Sequence, residues 1–137
     1  MPNAISFLYD GFKINFSFSN VNAKLPILTH SKNITLITWG RRKKEKGTLP
    51  TGGWARLSSI HAGKWNHYNP KPVKLNITAF METNHSNKPI WFTITPGQWI
   101  QGLFAQFNKE TRVYIVTITP ELENSNFIRW PRIMFGD

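Results

Sequence analysis

Cysteine is absent from this chain of 137 residues. That excludes disulfides, thiolate zinc sites and a cysteine nucleophile. Acidic residues are scarce: seven Asp and Glu stand against seventeen Lys and Arg, a net charge of +10. No hydrophobic run approaches the roughly 18–20 residues that a membrane span needs. No long basic amphipathic helix is visible, which argues against a membrane-surface role. The opening MPNAISFLYDGFKINF lacks a basic start followed by a long apolar stretch, so no signal peptide is expected and a cytoplasmic setting is. There is no P-loop, no glycine-rich dinucleotide fingerprint and no Ser-His-Asp order. The histidines His30, His61, His67 and His85 show no ligand spacing. His61 and His67 flank Trp65, but no second pair or acidic ligand joins them. Neither a metal nor a cofactor is expected.

What is present reads as strands. Residues 5–18 form a strand or hairpin around the turn dipeptide Asp10-Gly11. Residues 20–28 are extended, because Pro26 opposes a helix. Residues 33–40 alternate Ile34, Leu36 and Thr38 on one face. A charged loop follows, and residues 54–65 are a short helix closed by Gly63. From Pro70 the chain is extended and becomes a strand through Val73, Leu75 and Ile77. Residues 89–95 and 98–107 add further strands, separated by Pro96-Gly97. RVYIVTITP (112–120) is the clearest strand, with Val113, Ile115 and Thr117 facing one way and Tyr114, Val116 and Ile118 the other. ELENSNF (121–127) is polar, with room for one helical turn. The tail IRWPRIMFGD is apolar enough to dock on the core. The expected fold is a β-rich α+β domain spanning 1–137, with a curved mixed or antiparallel sheet or open barrel and one or two short helices.

The basic excess selects a polyanionic or acidic partner, and the aromatics that accompany it favour nucleic acid. The charge concentrates between Thr38 and Trp65. Arg41, Arg42, Lys43 and Lys44 carry one acidic neighbour, Glu45, and lie between Trp39 and Trp54. Guanidinium groups can fork onto phosphates and indole faces can accept bases. Trp54 and Trp65 flank the loop and are the stacking candidates. Trp91 and Trp99 lie in strands and are expected in the core, and Trp130 packs the tail.

The order of these pieces resembles the SOS response-associated peptidase (SRAP) family over residues 20–134. The family's Trp-Gly after a strand corresponds to Trp39-Gly40. Its Asn-Ala-Arg-Ala-Glu corresponds to Trp54-Ala55-Arg56-Leu57-Ser58. Its Gly-Phe-Tyr-Glu-Trp corresponds to Ala79-Phe80-Met81-Glu82-Thr83. A Lys-x-Pro turn and an Ala-Gly-Leu-Trp strand match Lys88-Pro89 and Gln101-Gly102-Leu103-Phe104. Its Thr-Thr-Pro-Ala strand end matches Thr117-Ile118-Thr119-Pro120, and its His-Asp-Arg-Met-Pro matches Phe127-Ile128-Arg129-Trp130-Pro131. Members bind single-stranded DNA and cross-link to abasic sites through a cysteine at position two. Here position two is Pro2, and the supporting Asn, first Glu and His positions hold Trp54, Ser58 and Phe127. Arg56, Glu82, Arg129 and Pro131 are kept. The thiazolidine link, which needs a thiol beside an α-amine, is therefore out of reach.

The resemblance implies a degenerate member that binds single-stranded or damaged DNA without a covalent bond and is not an enzyme. The nucleic-acid contacts expected are Arg41, Arg42, Lys43, Lys44, Trp54, Arg56, Lys64, Trp65 and Arg129. Two rivals stand beside this. One is a phage- or plasmid-type module that binds an acidic protein. The other is a residual abasic-site lyase, in which removal of Met1 frees the amine of Pro2 to attack an aldehyde while Glu82 shuttles protons. Glu82 could equally be a carboxylate paired with Arg56 or Arg129.

Overall fold

The computed structural model describes residues 1–120 and 129–136. Among these, a four-stranded antiparallel sheet packs against a larger mixed sheet of eight strands. The fold is β-rich, with open sheets and little helix, as the patterning predicts.

The small sheet begins with β1 (Ala4–Tyr9) and β2 (Phe12–Ser17), which pair in register as a hairpin. Asp10 and Gly11 close it with φ of 50° and 79°, the positive pair that a two-residue hairpin turn demands. The large sheet opens with β3 (Lys24–Leu28) and β4 (Ile34–Thr38), also antiparallel. After the basic loop, β5 (Trp54–Arg56) leads into α1 (Leu57–His61) and a 3-10 turn, Asn66–Tyr68. Next come β6 (Lys71–Leu75), β7 (Ala79–Thr83), β8 (Pro89–Thr93), β9 (Gln98–Phe107) and β10 (Glu110–Ile118), then β11 (Trp130–Pro131) and β12 (Ile133–Phe135).

Several local expectations need correction. Residues 71–83 are two strands in different sheets, not one. At Asn76–Thr78 the chain crosses over: the Asn76 amide donates to the Pro26 carbonyl of the large sheet, and the Thr78 amide donates to Ser6 of the small one. Ile77 stays buried between them. Residues 54–56 are a strand parallel to β10 rather than the start of a helix. The helix that follows is only one turn long and has no side-chain cap. Such a turn is marginal alone and is held by packing. Gly63, at φ 81°, ends this segment. Trp91 is 49% exposed, and Trp99 is half-exposed with its indole N–H on the Gly136 carbonyl. Neither is core. The polar segment 121–127, with its expected helical turn, lies outside the described residues.

The tail docks in a way that the pattern does not reveal. β9 and β10 pair from the hairpin at Phe107 back to Gly102 and diverge beyond it. The tail fills the split, β11 pairing with β10 and β12 with β9. Arg132 ties both sides, its amide donating to Val116 and its carbonyl accepting from Gln101.

The core lies in two layers. Ile5, Phe7 and Phe80 of the small sheet meet Leu25, Leu75, Ile100, Val113 and Ile115 of the large one, with Trp39 beside them. On the far side of the large sheet, Leu103, Ala105, Tyr114 and Val116 are roofed by Leu49, Trp65 and the helical segment. β10 is thus buried on both faces from Arg112 to Thr117. The Trp39-Gly40 step needs glycine: Gly40 has φ 56°, and a Cβ there would collide with the backbone of Gly52 and Gly53.

Candidate nucleic-acid interface

The basic loop is folded inward at its start. Arg41 donates from Nε to the Leu49 carbonyl (2.6 Å) and from Nη1 to the Glu45 carbonyl (2.9 Å). Arg42 donates from Nε to Phe18 and from Nη1 to Trp39, both carbonyls at 2.6 Å, and lies over the Phe18 ring. Burial lowers the Arg42 pKa, with Glu45 opposing that shift. Beneath them Arg112 reaches the Gly40 carbonyl and the carboxylates of Glu110 and Glu45. These arginines knot the loop to the sheet. Nε and Nη1 of both arginines are held by backbone carbonyls, and Arg42 Nη2 is buried without a partner among the described residues rather than presented to solvent, so Arg41 and Arg42 anchor the loop. Lys43, Lys44 and Lys46 remain exposed at the tip.

The tryptophans are likewise inward. Trp65 is 7% exposed and meets Tyr114 edge-on at 4.9 Å between ring centres. It is a core residue with no open face for a base. Trp54 is half-buried, packs on Phe18 and Trp39, and donates its indole N–H to the Pro2 carbonyl at 2.8 Å. Its sequence position beside a charge cluster does not distinguish these roles, because an indole serves a core and a base equally well.

A second cluster forms at one end of the sandwich. Glu82, on β7, is fully buried, and its Oε1 lies 2.7 Å from the α-amine of Met1. Its partner is thus the chain's first amine rather than Arg56 or Arg129. Oε2 has no hydrogen-bond partner among the described residues. Burial raises the Glu82 pKa above the usual carboxylate range, and the amine offsets this only in part. Pro2 is buried, and its own nitrogen is in the backbone, so the amine at Glu82 belongs to Met1. Arg129 donates from Nε to the Thr117 hydroxyl (2.9 Å) and from Nη1 to the Met1 sulfur. Arg129 has its pKa lowered by burial first and by the nearby charge of Arg56 second. Arg56 itself is exposed, with no partner among the described residues. Parallel pairing of β5 with β10 sets Arg56 opposite Thr117, the residue whose hydroxyl Arg129 holds. Lys64 is exposed on the helical segment. Phe127, the position of the family histidine, lies outside the described residues.

The acidic residues complete the electrostatic picture. Glu121, Glu123 and Asp137 lie outside the described residues. Of the other four, Glu82 is buried on the amine, Glu45 is held by Arg42 and Arg112, and Glu110 by Arg112 and the amides of Thr48 and Leu49. The carboxylates of Glu45 and Glu110 have lowered pKa values, because these hydrogen bonds and charges outweigh burial. Only Asp10, in the β1–β2 turn, is left unpaired among the described carboxylates.

Fold and site together define a basic β-rich domain whose described glutamates are all held by cations, with an amine–carboxylate pair and Arg129 gathered at one end. No protein-family model matches the chain, and no curated protein does. No helix among the described residues is long and apolar enough to cross a membrane.

Proposed function

We propose that the chain is a degenerate SRAP-like domain that binds single-stranded or damaged DNA non-covalently, in a cytoplasmic setting. The observation that carries this is the exposed, unpaired Arg56 beside the half-buried Arg129. Two like charges held close cost free energy until an anion lies between them, and a phosphate is such an anion. Lys43, Lys44 and Lys64 add exposed positive charge elsewhere on the surface, and of the described carboxylates only Asp10 is left without a partner. Each phosphate neutralised on a single strand contributes about −0.7 to the slope of log K against log salt. Arg56→Ala should flatten the slope for a labelled oligonucleotide by roughly that amount. An unchanged slope would refute a phosphate contact at Arg56 and favour the acidic-protein alternative.

The 2.7 Å contact between the Met1 amine and Glu82 supports a second reading, a weak abasic-site lyase. The nucleophile is then the primary amine of Met1 rather than the amine of Pro2. Glu82, its proton affinity raised by burial, takes the ammonium proton. The freed lone pair adds to the sugar aldehyde, and loss of water leaves an imine. Borohydride should trap this imine on abasic DNA with protein whose intact mass includes Met1. No adduct from such protein would end the lyase reading and leave non-covalent binding untouched.

A further inference from the structure

The outer face of the large sheet is only half covered. The helical segment roofs the part built from Leu103, Ala105, Tyr114 and Val116. The other half is an open groove of about 1050 Å³, lined by Leu28, Lys32, Lys74, Trp99, Gln101 and Met134 among others. Strand register explains its composition. Leu28 and Gln101 both lie opposite Lys74, and Met134 lies opposite Trp99. Their neighbours Leu75 and Ile100 point the other way, into the core. The same alternation that buries one set therefore exposes a row of mixed apolar and cationic side chains.

Two features give this groove a direction. Its charged lining groups, Lys32 and Lys74, are cationic, and no acidic residue among the described residues lines it. The Lys74 ammonium sits over the Trp99 ring, 5.0 Å from its centre. That lysine covers a half-exposed indole face with a flexible stem, and it can swing onto a phosphate while a base takes its place on the ring.

We infer that this open half of the sheet is a second single-strand surface, with Trp99 receiving a base and Lys32 and Lys74 receiving phosphates. The inference rests on the DNA-binding reading above. It adds a site on the face of the large sheet turned away from the Phe7–Phe80 layer, beside the part roofed by Trp65. An apolar protein segment would use Leu28 and Met134 but would leave both lysines unmatched. An acidic one would match the lysines, and is separated by experiment.

The test compares wild type, Lys32→Ala/Lys74→Ala and Trp99→Ala for binding to a labelled oligothymidine over a range of salt, with polyaspartate as a second probe. The double variant should flatten the salt slope by about 1.4, two phosphates' worth, and this loss should add to that of Arg56→Ala. Trp99→Ala should weaken binding roughly 5- to 150-fold with the slope kept. If Trp99→Ala does not fold, the double variant decides alone. A wild-type slope in the double variant, with binding otherwise intact, overturns the second surface and leaves the Arg56 site standing. Loss of polyaspartate binding without loss of oligonucleotide binding also overturns it. Absence of any oligonucleotide binding by wild type overturns both readings.

Discussion

Replacing Trp65 separates a core role from a binding role. The side chain is 7% exposed and lies edge-on to Tyr114 and to Tyr68, with ring centres 4.9 and 5.9 Å away. It helps to roof β9 and β10, beside Leu49, Ala55 and Leu103. Truncating a buried tryptophan to alanine costs about 3–5 kcal/mol in lost transfer energy and residual cavity. The edge-to-face contacts fall within that cost, since they vanish with the ring. For a domain of this size, one kcal/mol moves the melting temperature by roughly 3–4 °C. Trp65→Ala should therefore melt about 9–20 °C below wild type. Against a total stability of about 5–15 kcal/mol, some of the protein stays folded at low temperature. Calorimetry or urea unfolding reads the loss, and oligonucleotide titration of the folded protein reads binding. The affinity of the folded fraction should match wild type. A variant that melts like wild type but binds more weakly would refute the burial argument and restore Trp65 as a stacking residue.

Glu82→Gln tests the buried carboxyl. A pKa raised by folding means that stability is complete below the unfolded value and is lost as pH rises through the folded one. The glutamine variant should match wild type in acid and out-melt it at neutral pH; the reverse order at neutral pH would show that the pair with the Met1 amine outweighs burial. Arg112→Met removes a donor from the Gly40 carbonyl and from two glutamates. It should cost about 1–3 kcal/mol, because the buried Gly40 carbonyl loses its donor while Glu45 keeps Arg42 and Glu110 keeps the Thr48 and Leu49 amides, and it should open the loop from Arg41 to Gly52 to proteolysis. Thermal melts and limited digestion check both effects, and a wild-type melt would show that the knot is dispensable. Arg41→Ala/Arg42→Ala should lower the melting temperature while keeping the salt slope of DNA binding. A flattened slope would return both arginines to the interface.

Much of this fold is local, and local features are visible in a sequence. Alternation over residues 112–118 identifies a strand buried on both faces, because its two side-chain sets are both apolar. Asp10-Gly11 and the turn after Phe107 mark hairpins, because few residues accept positive φ. The charge excess and the lack of cysteine are properties of composition and survive any folding. Which sheet a strand joins is not local, so the break at Asn76–Thr78 and the wedging of β11 and β12 between β9 and β10 are decided only by pairing partners far along the chain. The same holds for the site. A run of arginines beside tryptophans reads identically whether guanidinium groups face solvent or carbonyls; here Phe18, Trp39 and Leu49 supply those carbonyls. Glu82 and Arg56 were legible as site candidates by resemblance. Their true company, the Met1 amine for one and Arg129 for the other, comes from bringing β1, β5, β7 and β10 to one end of the sandwich. The groove around Trp99 had no sequence signal, since a tryptophan in a strand faces core or solvent according to which half of the sheet the helical segment happens to roof.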